Sequence, residues 1–107
     1  MTHLEKEIHD LKNSLIDMWK LLDLQFDKIK CSIINFDRDL ARDVIVNEKR
    51  VNSFELQIDK DCENIFALFN PVAIDLRFVL AVLKINTNLE RIGDMANGVA
   101  KFIVEME

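Results

Sequence analysis

Glu90 and Asp94 stand four residues apart in a stretch otherwise rich in apolar residues. A helix turning about 100° per residue sets both on one stripe with Leu76, Leu80, Leu83 and Thr87. A row that begins as leucines becomes anionic halfway along. The opposite stripe, Ile74, Phe78, Val82, Ile85, Leu89, Ile92, Ala96, Val99 and Ile103, stays apolar throughout and is the expected core face. Like charges at i,i+4 destabilise a helix by roughly 0.2–0.5 kcal/mol, and a bound cation is the obvious group to offset that cost.

A second polar row lies upstream. Glu48, Asn52, Glu55 and Asp59 follow one another at helical steps of four, three and four, and Glu55/Asp59 repeats the spacing of Glu90/Asp94. Both pairs offer oxygen donors alone. Hard oxygen ligands suit Mg, Ca or Mn, iron accepts carboxylate bridges as well, and nothing here is soft enough to specify zinc. Arg77 and Arg91 read first as ion-pair partners of these acids, and second as docking groups for an anion or an acidic partner surface. Gly93, between the two acids, is expected to allow a close helix approach. His3 and His9 read as surface imidazoles. Cys31 and Cys62 form no C-x-x-C pair and have no nearby His, which suits reduced thiols packed on helices.

Long helices must position these groups. The chain has 107 residues, half of them hydrophobic, with two Gly and one Pro, so turns are few. Leu4, Ile8, Leu11, Leu15, Met18, Leu22, Ile29 and Ile33 form a heptad-type seam with one ambiguous step at Gln25/Phe26, and Met18 and Trp19 read as packing residues. That helix stops at Asn35-Phe36-Asp37, where Asn35 can close it and Asp37 can cap the next, with Asp39 in its first turn. The second helix turns Leu40, Val44, Val51, Phe54, Ile58, Cys62, Ile65 and Phe69 inward. Asn70 reads as the N-cap of a third helix starting at Pro71. Such short connections predict an all-α, antiparallel up-down-up three-helix bundle with long helices over residues 1–107 as a single domain. With the turn near Asn70, Glu48 and Asn52 should lie level with Glu90 and Asp94. Glu55 and Asp59 should lie roughly 13 Å further along, serving a second site.

A net charge of −5 with no Lys/Arg cluster excludes nucleic acid as the expected partner. The longest apolar run, Phe78 to Leu83, is far short of the ~20 residues that cross a bilayer. Met1 to Asp10 carries no leader pattern. The chain therefore reads as a soluble, cytoplasmic protein without membrane insertion.

The segment Pro71-Val72-Ala73-Ile74-Asp75-Leu76-Arg77, followed by Leu89-Glu90-Arg91-Ile92-Gly93-Asp94, closely resembles the PhoU family of phosphate-uptake regulators. The stretch from Asp37-Arg38-Asp39-Leu40-Ala41 through Val44-Ile45, Val51-Asn52 and Glu55 to Ile58-Asp59 fits as well. The resemblance implies one three-helix PhoU repeat of the two that family members usually contain. That agrees with the uncapped Val104-Glu105-Met106-Glu107, which reads as a helix cut mid-course in a longer protein, and it suggests that two copies pair as a dimer in place of the missing half. It also implies multivalent metal ions, often iron clusters, at the matching positions Glu90/Asp94 and Glu55/Asp59. Glu48 stands where Asp is frequent. Asn70 and Met95 depart from commoner residues, and neither departure removes a ligand. The implied role is negative control of phosphate uptake and of the phosphate-starvation response, linking the phosphate ABC transporter ATPase to a sensor histidine kinase. Arg77, Arg91 and Asn52 are the docking candidates. A carboxylate-bridged di-iron oxidase or ferroxidase is the rival from another class, and the absence of His from helices 2 and 3 counts against it. A metal-free coiled-coil adaptor is the other alternative.

Overall fold

The computed structural model describes residues 2–106; Met1 and Glu107, on which the readings of the chain ends partly rest, lie outside them. Three helices account for nearly all of it: α1 (His3–Asn35), α2 (Arg38–Phe69) and α3 (Ala73–Glu105). They run up, down and up in a bundle of 54 × 19 × 18 Å, and the described residues contain no strand. None of these helices is long and apolar enough to cross a membrane.

Capping chemistry explains the helix ends. Thr2 Oγ1 accepts the Glu5 N–H at the start of α1, and Asp37 accepts the Leu40 N–H at the start of α2, as its position after the turn requires. Between them Phe36, not Asn35, takes the left-handed conformation (φ 50°), and the Asp37 N–H is donated to the Ser32 carbonyl. The second turn differs from the sequence expectation. Asn70 is left-handed (φ 46°) and closes α2, Pro71 is buried, and extended Val72 precedes an α3 that starts at Ala73. Asn tolerates φ > 0 better than other side-chain-bearing residues, so the position that looked like a start signal works as a stop.

The core also sits differently on its helices. In α3 the buried row is Val79, Val82, Asn86, Leu89, Gly93, Ala96, Ala100 and Ile103. It shares Val82, Leu89, Ala96 and Ile103 with the stripe expected as core but is rotated from it, so Ile74, Ile85 and Val99 are exposed on one side and Leu80, Thr87 and Asp94 on the other. The leucine-to-acid stripe is thus a flank facing α2, not a core face. In α1, Leu11, Met18, Leu22 and Ile29 are buried as expected; Gln25 takes the ambiguous step inward and Ser32 replaces Ile33, which is exposed with Trp19 and Phe26. Cys62 is buried, where burial and then the nearby Asp59, Asp61 and Glu63 push its thiol up to about 11. Cys31 is exposed, not packed.

The apolar core forms two clusters. One includes Leu11, Met18, Leu22, Val51, Ile58, Val82 and Leu89; the other comprises Ile29, Ala41, Val44, Ala96, Ala100 and Ile103. Close approach is sharpest at Gly93, where a Cβ would stand 2.9 Å from Val51 Cγ1 and 3.3 Å from Leu22 Cδ2. All three helices converge there, as the glycine's position between the acids suggested.

Candidate functional site: a carboxylate row between α2 and α3

Glu48 projects from α2 toward α3 one helical turn beyond Val44. It retains only 9% of its exposure, and its Oε2 has no hydrogen-bond partner. Burial is the main reason its carboxyl is pushed up to about 7; a carboxyl–carboxyl hydrogen bond with Asp94 and the charges of Asp94 and Glu90 add to the effect, while Lys101 opposes it. Such a bond needs a proton on one partner, so Glu48 at neutral pH is poised between charged and neutral forms.

Glu90 is raised as well, first by a hydrogen bond with Asp94, then by burial and the charges of Asp94 and Glu55, with Arg91 opposing. Glu55 is raised by burial, then by Asp59 and Asp94. Asp59 accepts a hydrogen bond from Asn86 Nδ2 at 2.9 Å, and the same nitrogen donates to the Glu55 carbonyl at 2.9 Å. Glu48 therefore meets Asp94 as the register predicted. Glu55 and the Glu90/Asp94 pair act on one another electrostatically, while Glu55 and Asp59 are tied to α3 at Asn86, one turn before Glu90. The acids follow one another along the α2–α3 face, Glu48 with Asp94 and Glu90 at one level and Glu55 with Asp59 at the level of Asn86. Asn52 lies on the same helix but is exposed.

Neither Arg77 nor Arg91 forms a salt bridge with this row among the described residues. Among the described residues the ion pairs are Lys28–Asp43 and Arg42–Asp39, the latter exposed. Arg77 and Arg91 are both exposed and neither forms the expected ion pair among these residues, although the charge of Arg91 is felt by Glu90.

Two amides, Asn86 and Asn97, escaped sequence reasoning, and a third, Gln25, was half of the ambiguous step in α1. Gln25 donates to the Val44 carbonyl at 2.9 Å, Asn86 bridges α3 to α2, and Asn97 leaves its Oδ1 buried without a partner, as Gln25 and Asn86 leave theirs. The signal was present for Asn86: it occupies a three-four step between Val82 and Leu89 that an apolar residue would otherwise fill.

The donor set is all oxygen, anionic and mutually repelling, with one buried oxygen unpartnered, which fits a hard multivalent cation. Among the described residues, however, no three His, Cys, Asp or Glu groups close around one point as a metal cage. The row offers paired carboxylates, whose remaining coordination positions water or another chain would complete.

Together these features define a class: an all-α three-helix bundle with an acid row along one interhelical face. Comparison with known proteins is more specific. The PhoU domain matches residues 15–103. The chain is 33% identical over 96 residues to a phosphate-specific transport system accessory protein PhoU homolog of Burkholderia sp, covering 90% of this chain and 41% of that protein. It is 35% identical over 99 residues to the PhoU accessory protein of Edwardsiella tarda and 34% identical over 99 residues to that of Escherichia coli (strain K12), in each case covering 92% of this chain and 41% of the relative. No solved structure matches. The chain belongs to the PhoU family. It spans about two fifths of the length of these curated relatives.

Proposed function

We propose that this chain is a non-catalytic, cytoplasmic regulatory module in the control of phosphate uptake and of the phosphate-starvation response. It acts by docking, with the phosphate ABC transporter ATPase and a sensor histidine kinase as its partners and a homodimer as its working form. Family membership and the names of the relatives, which are accessory proteins of phosphate-specific transport, support this reading. The observation that carries its mechanism is the row Glu48–Asp94–Glu90 with Glu55 and Asp59 beside it.

In this mechanism Glu90, Asp94 and Glu48 hold a multivalent metal ion, iron among the candidates, and Glu55 with Asp59 forms the neighbouring half of the site. The ion supplies positive charge that cancels the mutual repulsion of the acids. The chain's own residues then define the docking surface. Asn86 fixes the α2–α3 spacing through its paired hydrogen bonds, and Asn52, Arg77 and Arg91 extend outward as polar contacts.

The test is the double substitution Glu90→Ala with Asp94→Ala. Elemental analysis of the purified variant should show metal lost, and pull-down of the transporter ATPase and kinase should weaken together with it. Unchanged metal content and unchanged partner binding would reject the mechanism. Absence of metal from the unsubstituted protein, with partner binding retained, would favour the metal-free adaptor.

A further inference from the structure

The other flank of α2, where it meets α1, carries charge of the opposite sign to the acid row. The Lys28–Asp43 ion pair sets the register of these antiparallel helices. Seven residues back along α1 and seven on along α2 then bring Leu21 level with Arg50. Two adjoining surface cavities open there. One, of about 500 Å³, is lined by Lys49, Arg50, Ser53, Phe54 and Gln57. The other, of about 450 Å³, is lined by Asp17, Lys20, Leu21 and Leu24 together with the same Arg50 and Phe54. Because they share two residues, they form one groove. Phe54, half-buried against the core, and Leu24, 52% exposed, give it an apolar floor. Its charges are sorted. Between Asp43 and Asp59 the acids of α2 are Glu48 and Glu55, both on the side of α3, whereas Lys49 and Arg50 belong to the groove. The sequence shows that pair alone, and folding adds Lys20 from α1. All three cations are exposed, and none takes part in the ion pairs of the described residues, Lys28–Asp43 and Arg42–Asp39. Among the lining residues Asp17 alone is acidic. In a chain of net charge −5 this is a local reversal of sign.

We infer that the α1–α2 groove binds an acidic segment of a partner protein, with a large apolar side chain seated over Phe54 and Leu24 and flanking carboxylates on Lys20, Lys49 and Arg50. The inference rests on the docking reading above, to which it adds the face and the chemistry by which one partner is met. It uses neither the acid row nor a metal. Two features select this occupant. Exposed ion pairs each contribute little, so the cations alone hold a small anion weakly. An apolar floor adds burial that a bare anion cannot use and an apolar side chain can. A nucleic acid would meet the same cations, but the net negative charge of the chain opposes its backbone.

The probe is a short fluorescein-labelled peptide alternating glutamate with leucine, titrated with the full chain and followed by anisotropy. It should bind, and more weakly as salt rises. Its counterpart with glutamine in place of glutamate should bind at least about ten-fold more weakly. Lys49→Glu with Arg50→Glu should raise the dissociation constant by at least about ten-fold, and Leu24→Ser should raise it as well, with helicity by circular dichroism kept. The control Lys30→Glu with Lys84→Glu makes the same charge change at exposed positions outside the groove and should leave binding unaltered. If the reversed pair fails to fold, Lys49→Gln with Arg50→Gln gives the same readout. Undiminished binding by the groove variants, equal binding of the glutamine peptide, or capture of phosphatidylglycerol vesicles in place of the peptide overturns the groove. The docking reading then stands if Glu90→Ala with Asp94→Ala still weakens the pull-down of the partners. Peptide binding that obeys the groove variants, with a pull-down that recovers neither partner on the unsubstituted chain, keeps the groove and overturns the partner assignment.

Discussion

Glu48 sits at a tight point of the bundle, where a Gly93 Cβ would come within 3.8 Å of its Oε2, and burial there, with Asp94 and Glu90 beside it, raises its carboxyl. The consequence is a pH dependence whose sign is unusual for a carboxylate. The folded group titrates at about 7 and the unfolded one near 4.5. Between those values the native chain holds a proton that the unfolded chain has released. Its contribution to stability is therefore complete below about 4.5 and is lost as pH rises through about 7. The raised Glu55 and Glu90 act in the same direction. Thermal melting followed by circular dichroism in a chelator should accordingly give a midpoint that falls as pH rises through this window. Glu48→Gln should flatten the fall and stabilise the protein above it by on the order of 1 kcal/mol. A Glu48→Gln curve parallel to that of the unsubstituted protein would exclude this account.

The helices owe their packing to small residues as much as to large ones, and the two glycines of α3 separate the possibilities. Alanine is favoured over glycine by about 1 kcal/mol inside a helix. At Gly98 nothing lies within 4 Å of the added Cβ, so Gly98→Ala should gain most of that amount. At Gly93 the new methyl meets the stiff Val51 at 2.9 Å. Overpacking of this kind costs about 1–3 kcal/mol, so Gly93→Ala should be net destabilising. Urea denaturation of both variants would check the opposite signs. The second turn shows the same dependence on local fit. Asn70 and Pro71 could each begin a helix, but Asn70 also accepts the left-handed conformation that ends one, and Pro71 is buried behind it. Leaving α3 to start at Ala73 follows from that choice.

At the scale of the whole bundle the distinguishing feature is the row of acids between α2 and α3. If Glu48, Glu90 and Asp94 hold a metal in the folded state alone, binding adds to stability by mass action, about 2.7 kcal/mol at a free concentration one hundred times the dissociation constant. Protons and metal compete for the same oxygens, so the gain should grow as pH rises. The expected measurement is a melting temperature that falls on addition of chelator, more at pH 8 than at pH 6, and does not respond in Glu90→Ala with Asp94→Ala. A chelator response retained by that variant would place the metal elsewhere.

Three helices, their antiparallel order, the Asp37 cap and the pairing of Glu48 with Asp94 could all be read from the chain alone. They follow from local rules: apolar steps of three and four, a few residues that suit helix ends, and turns too short to allow another topology. The rotation of α3 about its axis was accessible only in part. Val82, Leu89, Ala96 and Ile103 of the expected core stripe are buried, but the further turn that buries Asn86 and Gly93 while exposing Ile85 and Val99 depends on contacts with α1 and α2 made at once. The same holds for Gln25 over Phe26, for the missing ion pairs of Arg77 and Arg91, and for the depth of Glu48. Periodicity specifies that a face is apolar; only three helices packed together determine which residues of that face meet at the centre, because burial is a property shared among neighbours.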